Sequence, residues 1–331
     1  MKVKDWTGSS WPAGQYDEKT KLIVSAYVLM FVATVANALG PALFMHIKGE
    51  LNVNMSNAQL VCYFLVISGL TMIPVYVIRK MKSGNHVHPG KKANFTVWTA
   101  LRLIGAIITF PLSFLAFVYA MEISGSPTGV SIIAKLSILF VVIISSLFMN
   151  DKVKSWRKVI LWSAICLLGV FIMYSKSWGE DQTVSVFTVI LYGLGTALLL
   201  ALYRVFIKPL NQKDRLSKPL IIMLTSLVGG VTLLIILYLR GVEFSYPGHW
   251  AIVDLVILGA VTLAWSTHLM LKAYDKHSLG SLSQVEYFSP AFTFLFCLLL
   301  GVNEQFSLFY LAVGFVFVVI GTYNIQKQIK D

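Results

Sequence analysis

Residues 127–149 read PTGVSIIAKLSILFVVIISSLFM, an apolar run that a single charged side chain, Lys135, interrupts. A run of about 20 mainly apolar residues is long enough to cross the hydrocarbon core of a bilayer, and a helix satisfies its own backbone hydrogen bonds there. Ten such runs follow one another, at about residues 22–46, 57–78, 97–121, 127–149, 157–174, 185–207, 219–239, 250–273, 280–300 and 306–326. We therefore predict an all-α integral membrane protein with ten transmembrane helices.

The overall composition supports a membrane protein and leaves no room for a separate soluble domain. Of the 331 residues, 57% are hydrophobic and only 13% are charged, whereas soluble domains carry about 25% charged residues. The formal net charge is +12, but the lysines and arginines lie in short segments between the apolar runs rather than in one patch. Such a distribution is typical of loops beside a membrane, so we expect membrane lipids as partners and no nucleic acid.

The loop charges also predict an orientation. The opposite loops hold only Lys48, Lys176 and Arg240. Most other lysines and arginines lie at the two termini and in alternate loops, namely 79–96, 150–156, 208–218 and 274–279. Because cytoplasmic loops carry the excess of positive charge, both termini are expected in the cytoplasm. The polar segment 1–21 does not resemble a cleavable signal peptide, and we expect a plasma (inner) membrane rather than a Golgi or endoplasmic reticulum membrane.

The sequence gives no sign of a metal site, a cofactor or a catalytic motif. Cys62, Cys166 and Cys297 are widely spaced inside apolar runs, and His86 and His88 have no further ligand nearby. A P-loop is absent, so direct driving by ATP is not expected. Neither HExxH nor a Ser-His-Asp spacing occurs, and we predict that the chain is not an enzyme. An intramembrane active site assembled from distant helices stays open, since spacing alone cannot exclude it.

The two halves of the chain resemble each other when 153 is added to each residue number. Ala120-Met121-Glu122 then meets Ala273-Tyr274-Asp275, and Asp151 meets Glu304 at the ends of two runs. The repeat unit holds five helices, and because five is odd the second copy enters the membrane from the opposite side, as in many secondary transporters. The predicted organisation is a cytoplasmic N-terminal segment 1–21, a first repeat 22–174, a linker 175–184, a second repeat 185–326 and a cytoplasmic tail 327–331.

Several segments follow a pattern known from one superfamily. They are Ala273–Ser281, Phe288-Ser289-Pro290, Gly301–Glu304 and, in the first half, Ile133-Ala134-Lys135-Leu136-Ser137. With these segments the chain, over about residues 22–326, resembles the drug/metabolite transporter superfamily in its EamA-like and nucleotide-sugar-transporter branches. Ser137 departs from the EamA pattern, which often has a proline there. The resemblance implies a ten-helix transporter of small metabolites in which Lys135 faces the central cavity.

Ionisable side chains inside the predicted spans are few and therefore informative. A charge in the bilayer core costs at least about 2.5–3.5 kcal/mol, so it needs a partner or a wet cavity. Lys135 and Glu286 are predicted to line the cavity, with Lys135 meeting an anionic group of the substrate. Glu286 would pair with Lys135 in the empty state, or bind a cationic group or a proton. A structural Lys135–Glu286 ion pair without a ligand role stays open. Arg102 and Arg204 are expected to extend toward the interface instead.

Other polar side chains are expected at a similar depth and complete the predicted substrate site. The set is Asn37, Ser131, Gln284, Tyr287, Tyr119, Tyr203 and His268. Hydrogen bonding between helices is an equally open role for Asn37, Ser131 and Gln284, and packing is the favoured role for His268.

Taken together, the sequence predicts a secondary active transporter. It would move a small polar metabolite, anionic or zwitterionic, by alternating access between its two inverted repeats. The sequence leaves open whether transport is coupled to a proton or to a counter-substrate. It also leaves open whether the protein is a monomer or a homodimer. An amino-acid or drug exporter of the same fold is the first alternative. An integral-membrane enzyme or a lipid-handling scaffold is the alternative from another class.

Overall fold

A computed structural model describes most of the chain, and its regular elements there are helices. The described residues are 13–49, 51, 53, 55–83, 96–148, 153–175, 183–212, 216–244, 246–276, 282, 285–302 and 307–328. The α-helices are α1 (Ala13–Lys48), α2 (Asn57–Ser83), α3 (Val97–Ser124), α4 (Pro127–Ala134), α5 (Ser137–Phe148), α6 (Trp156–Tyr174), α7 (Thr183–Gln212), α8 (Lys218–Met223), α9 (Gly229–Leu239), α10 (His249–Val256), α11 (Ser266–Lys276), α12 (Ser289–Leu299) and α13 (Leu308–Gln326).

Helical stretches in the described part of the chain account for the predicted spans. Nine are long and apolar enough to cross a membrane, and the shorter apolar helix α12 lies in the predicted ninth run. Two of the nine join α-helices through π-helical segments, Leu224–Val228 between α8 and α9 and Ile257–Trp265 between α10 and α11. The outer surface is apolar, with Phe187, Leu239 and Trp250 68%, 77% and 77% exposed. The prediction of an all-helical membrane protein is confirmed.

Some predicted features cannot be located. Asp151 and Glu304, the paired acids at the ends of two runs, lie outside the described residues, as do His86 and His88 and the site residue Gln284.

The direction of packing between α2 and the α8–α9 span shows how the two halves relate. A Cβ atom on Gly69 would lie 2.5 Å from Cβ of Leu227, and one on Gly230 would lie 3.0 Å from Cβ of Leu65. Residue numbers therefore rise along α2 while they fall along α8–α9. The second helix of each half is thus antiparallel to its counterpart, at a distance that only a residue without a side chain permits.

The fifth helices of the two halves, α6 and α13, repeat this arrangement. A Cβ atom on Gly169 would lie 2.7 Å from the Gly314 carbonyl oxygen, and one on Gly321 would lie 2.8 Å from the Trp162 carbonyl oxygen. These two helices are therefore also antiparallel. Two copies that point in the same direction would place their fifth helices parallel, so this contact requires inversion.

Contacts between the first helix of one half and the third helix of the other complete the symmetry. α1 packs along the α10–α11 span, with Ser25 bonded to Lys276 at one end and His46 bonded to Asp254 at the other. α3 packs along α7 in the same antiparallel sense, with Phe110 stacked on Tyr203 and Tyr119 stacked on Tyr192. The fold is two inverted five-helix repeats, as the sequence predicts.

The sequence predicts a single helix for the fourth span, but the structure has two helices there. Between α4 and α5 the chain turns at Lys135 and Leu136, where the Lys135 and Leu136 amides donate to the carbonyl oxygens of Ile132 and Ile133, at 3.1 and 2.9 Å. These bonds span three residues rather than the four of an α-helix. In the second repeat a turn at Tyr287–Phe288 precedes α12, and α12 begins 152 residues after α5.

The cause of the break is visible in only one of the two repeats. Pro290 has no amide hydrogen and cannot donate to the carbonyl oxygen of Glu286, which interrupts the helix there. No proline marks the break at Lys135, which explains why the run from 127 to 149 predicts a continuous helix.

The α6–α13 contact generates a stability prediction. Gly169→Ala places a methyl group against the Gly314 carbonyl and the Phe317 side chain, so it should force the two helices apart and lower the melting temperature, at an overpacking cost of roughly 1–3 kcal/mol. Gly195→Ala in α7 is the matched control, because no atom outside the adjacent backbone of α7 lies within 4 Å of its added methyl group. Thermal unfolding in detergent measures both variants. Equal melting temperatures for the two would contradict the packing described.

Candidate functional site

A central cavity of about 140 Å³ lies between the two repeats. Its lining residues come from α1, α2, α3, the α4–α5 span, α7, the π-helical segment Ile257–Trp265 and the start of α12. Both halves of the chain therefore build it. Among these lining residues the ionisable side chains are Lys135 and Arg204, and both are cationic.

Lys135 reaches the cavity because of the local structure of α4. Ser126 caps this helix, its Oγ accepting a hydrogen bond of 3.0 Å from the Gly129 amide, and Pro127 occupies the first turn. All side chains of α4 are buried, so the helix runs through the packed interior and ends at the turn that carries Lys135. No hydrogen bond or ion pair of the Lys135 ammonium group occurs with the part of the chain that the structure describes.

Ser131 lies one helical turn before Lys135 and also lines the cavity. Its Oγ atom is buried and has no hydrogen-bond partner among the described residues. A buried hydroxyl is normally hydrogen-bonded. Ser131 in α4 and Lys135 in the turn that follows it thus present an unpaired hydroxyl and an unpaired ammonium group to the same cavity.

Arg204 is held in the cavity wall by a carboxylate. Its Nη2 atom donates a 2.7 Å hydrogen bond to Oε2 of Glu286, and the Tyr274 hydroxyl donates a 2.7 Å bond to Oε1 of the same group. The Glu286 side chain is only 4% exposed, and that of Arg204 is 18% exposed. Both carboxylate oxygens are therefore occupied, and the Arg204–Glu286–Tyr274 network joins α7, α11 and the segment before α12.

Two expectations from the sequence are corrected by this network. Arg204 was expected to extend to the interface, but it points inward and forms an ion pair with Glu286. Lys135 was the expected partner of Glu286, and it lies near enough for its charge to act on Glu286, yet Arg204 holds the direct contact. A spacing of four residues could have identified the inward face of α7, since Thr196, Leu200 and Arg204 all line the cavity.

The remaining predicted site residues are divided between the cavity and other places. Asn37 lines the cavity. Tyr287 is buried beside Glu286 but is not among the lining residues. Tyr203 is buried and stacks on Phe110, with ring centroids 4.3 Å apart, and Tyr119 is 38% exposed and stacks on Tyr192 at the outer surface. His268 is buried against Trp265, away from the lining.

The sequence reasoning missed the apolar part of the wall. Phe44, Phe64, Phe114, Phe117 and Met121 line the cavity together with the polar residues. These side chains look like ordinary core residues in the sequence, and only their convergence from three helices makes them part of a site. The cavity therefore combines a large apolar surface with two cations.

Two carboxylates, which occupy equivalent positions in the two repeats and are 153 residues apart in the sequence, lie at opposite ends of the bundle. Glu122, at the end of α3, accepts a hydrogen bond from Asn57 and lies 3.7 Å from the Lys48 ammonium group. Asp275, at the end of α11, accepts bonds from Lys218 and from Asn211, the latter at 3.2 Å. Each carboxylate connects the ends of the first and third helices of its repeat to the start of the second.

Comparisons with known proteins agree with this architecture. Residues 187–325 match the EamA-like transporter family. A solved crystal structure, described only as that of a protein, superposes with a TM-score of 0.61 over 91% of this chain and 95% of its own, at 15% sequence identity. At that identity the likeness shows the fold alone. No curated protein matches the sequence.

The Arg204–Glu286 pair gives a prediction that distinguishes a buried network from surface charges. Glu286→Gln leaves the Arg204 charge without an anion in a buried site, so it should destabilise the protein by about 3–5 kcal/mol. The double variant Arg204→Met with Glu286→Met should recover most of that loss, because it removes both charges. The control is Glu122→Gln, whose carboxylate is 47% exposed.

Thermal or denaturant unfolding of the purified protein compares these variants. If Glu286→Gln unfolds no more readily than Glu122→Gln, Arg204 and Glu286 do not form the buried pair.

Proposed function

We propose that the chain is a membrane transporter of the drug/metabolite transporter superfamily and that it moves a small anionic or zwitterionic metabolite by alternating access. The match of residues 187–325 to the EamA-like transporter family is the starting point. The family match supports transport in general. The choice of substrate and of mechanism rests on the cavity and on the inverted repeats.

The proposed class of substrate rests on the unpaired charge of Lys135. Lys135 and Arg204 bring two positive charges to the cavity, and Glu286 supplies one negative charge, which Arg204 and Tyr274 already engage. One positive charge is left without a contacting anion among the described residues. A charge in the bilayer core requires compensation, and an anionic group of the substrate is the ligand that provides it.

The rest of the lining is compatible with a substrate that has more than its charged group. The Ser131 hydroxyl and the Asn37 amide supply hydrogen-bonding groups in the same cavity as the cation, while the phenylalanine side chains offer a surface for a less polar portion. A ligand with an anionic end and an apolar or aromatic body therefore fits the cavity better than a uniformly charged one.

The inverted repeats support alternating access as the mechanism. Two copies of one fold in opposite orientation can exchange conformations, so that a cavity open to one side becomes open to the other. The carboxylates Glu122 and Asp275 occupy related positions at the two ends. We expect each to hold its three helix ends together, so that the helices of a repeat move as a unit.

Export of a cationic drug, an alternative of the same fold, is less well supported. A cationic ligand needs an available carboxylate, but both oxygens of Glu286 accept hydrogen bonds from protein groups. An amino acid remains compatible, since its carboxylate would meet Lys135.

Ligand screening and transport by a Lys135 variant test the proposal. Nucleotide sugars, amino acids, phosphorylated metabolites and quaternary amines are screened for their effect on the melting temperature of the purified protein, because a ligand stabilises the state that it binds. Compounds with an anionic group should raise the melting temperature, and quaternary amines should not. A compound found in this way is then assayed by counterflow in proteoliposomes.

Lys135→Ala should weaken binding of that compound about tenfold or more, since it removes a hydrogen bond to a charged group, and should abolish counterflow while leaving the folded yield intact. Lys158→Ala is the matched control, because Lys158 is an exposed lysine outside the cavity. Full transport by Lys135→Ala, or stabilisation by quaternary amines alone, would overturn the proposal.

A further inference from the structure

A second group of cations lies outside the central cavity, at the end of the bundle formed by the end of α2, the start of α8 and the end of α11. Lys218 is only 7% exposed and donates to the Asp275 carboxylate. Arg79 and Lys272 are exposed and lie close enough for their charges to act on Lys218. Three cations thus converge on a region where Asp275 is the contacting anion among the residues that the structure describes.

The helix packing explains why these side chains converge. Gly69 of α2 meets Leu227, and Gly230 meets Leu65, in an antiparallel register. Ten residues after Gly69 in α2 is Arg79, and ten residues before Leu227 is Ser217. The same register therefore places Arg79 beside Ser217 and Lys218. Lys272 lies one helical turn from His268 and from Asp275, on the same face of α11.

Two buried polar atoms in this region lack partners. His268 is only 3% exposed, and its Nδ1 atom has no hydrogen-bond partner in the described part of the chain. Oγ of Ser217 also lacks a partner among the described residues, because Ser217 is the N-cap residue of α8 but its side chain makes no capping hydrogen bond. Lys272, Lys218 and Arg79 all act electrostatically on His268, so the ring lies within electrostatic range of the three cations. Buried polar atoms are normally bonded.

We propose that Arg79, Lys218, Lys272, Ser217 and His268 form a binding site for a phosphate group carried by the headgroup of an anionic phospholipid. The cations supply the charge, and the Ser217 hydroxyl and the His268 ring supply hydrogen bonds to phosphate oxygens. This site is separate from the transport cavity, whose lining includes none of these five residues.

A lipid is favoured over a soluble phosphate because the site adjoins the lipid-facing surface. Val77, Ile78 and Met81, next to Arg79 on α2, are 44%, 53% and 73% exposed and provide apolar contact for acyl chains. The loop charges predict that this end of the bundle faces the cytoplasm. Basic pockets between transmembrane helices on that side are suited to anionic headgroups.

The test measures the melting temperature of the delipidated full-length protein after addition of phosphatidylglycerol or phosphatidylcholine in mixed micelles. Phosphatidylglycerol should raise the melting temperature above the value with phosphatidylcholine. This difference should fall by at least half in the double variant Arg79→Gln with Lys272→Gln, both of which are exposed side chains. The matched control, Arg157→Gln with Lys158→Gln, removes two exposed cations at the start of α6 and should keep the full difference.

Two further measurements distinguish a lipid phosphate from free phosphate, and the proposed lipid site from the transport cavity. Inorganic phosphate alone should give little stabilisation, and Lys135→Ala should retain the response to phosphatidylglycerol. The proposal is overturned if the Arg79 and Lys272 double variant responds to phosphatidylglycerol as fully as the wild type does. It is also overturned if inorganic phosphate gives the whole effect, because the ligand is then a soluble anion.

Discussion

The cost of placing charge inside a bilayer is the constraint on which the organisation of this protein depends. Lipid supplies neither water nor counterions, so each ionisable group in the spans needs a protein partner or access to a wet cavity. Glu286 is surrounded by donors, Arg204 is paired with it, and Lys135 faces the cavity without a contacting anion among the described residues. The substrate assignment follows from this imbalance of charge.

Close packing of inverted copies brings these groups into one shared interior. Gly69, Gly169, Gly230 and Gly321 allow the counterpart helices of the two repeats to touch through their backbones. Since van der Waals packing rather than the hydrophobic effect holds helices together in lipid, such contacts are an effective way to join the halves. Breaks in related spans, at Lys135 in the first repeat and after Glu286 in the second, then bring the cation and the carboxylate to the shared interior.

The apolar runs and the repeat were sufficient to predict the fold, because run length reports a span and an odd number of helices requires inversion. The inner faces of the helices were harder to predict. Arg204 looked like an interfacial residue because it lies two turns from the end of α7, and only the position of Glu286 reveals its partner. Tyr119 and Tyr203 have sequence surroundings similar to those of the lining residues. Packing nevertheless places Tyr119 at the outer surface and stacks Tyr203 on Phe110. The break at Lys135 has no local signal in the sequence.

The sign of the charge in the cavity is the central claim, and it can be measured by thiol labelling at Asn37→Cys. Asn37 is an exposed lining residue, and the native cysteines Cys62, Cys166 and Cys297 are buried. Labelling rates are compared for methanethiosulfonate reagents that carry a sulfonate or a trimethylammonium group, each relative to its rate with a free thiol. A net positive cavity predicts faster labelling by the sulfonate, with the preference lost when Lys135→Gln is added. Faster labelling by the trimethylammonium reagent in the presence of Lys135 would contradict the account.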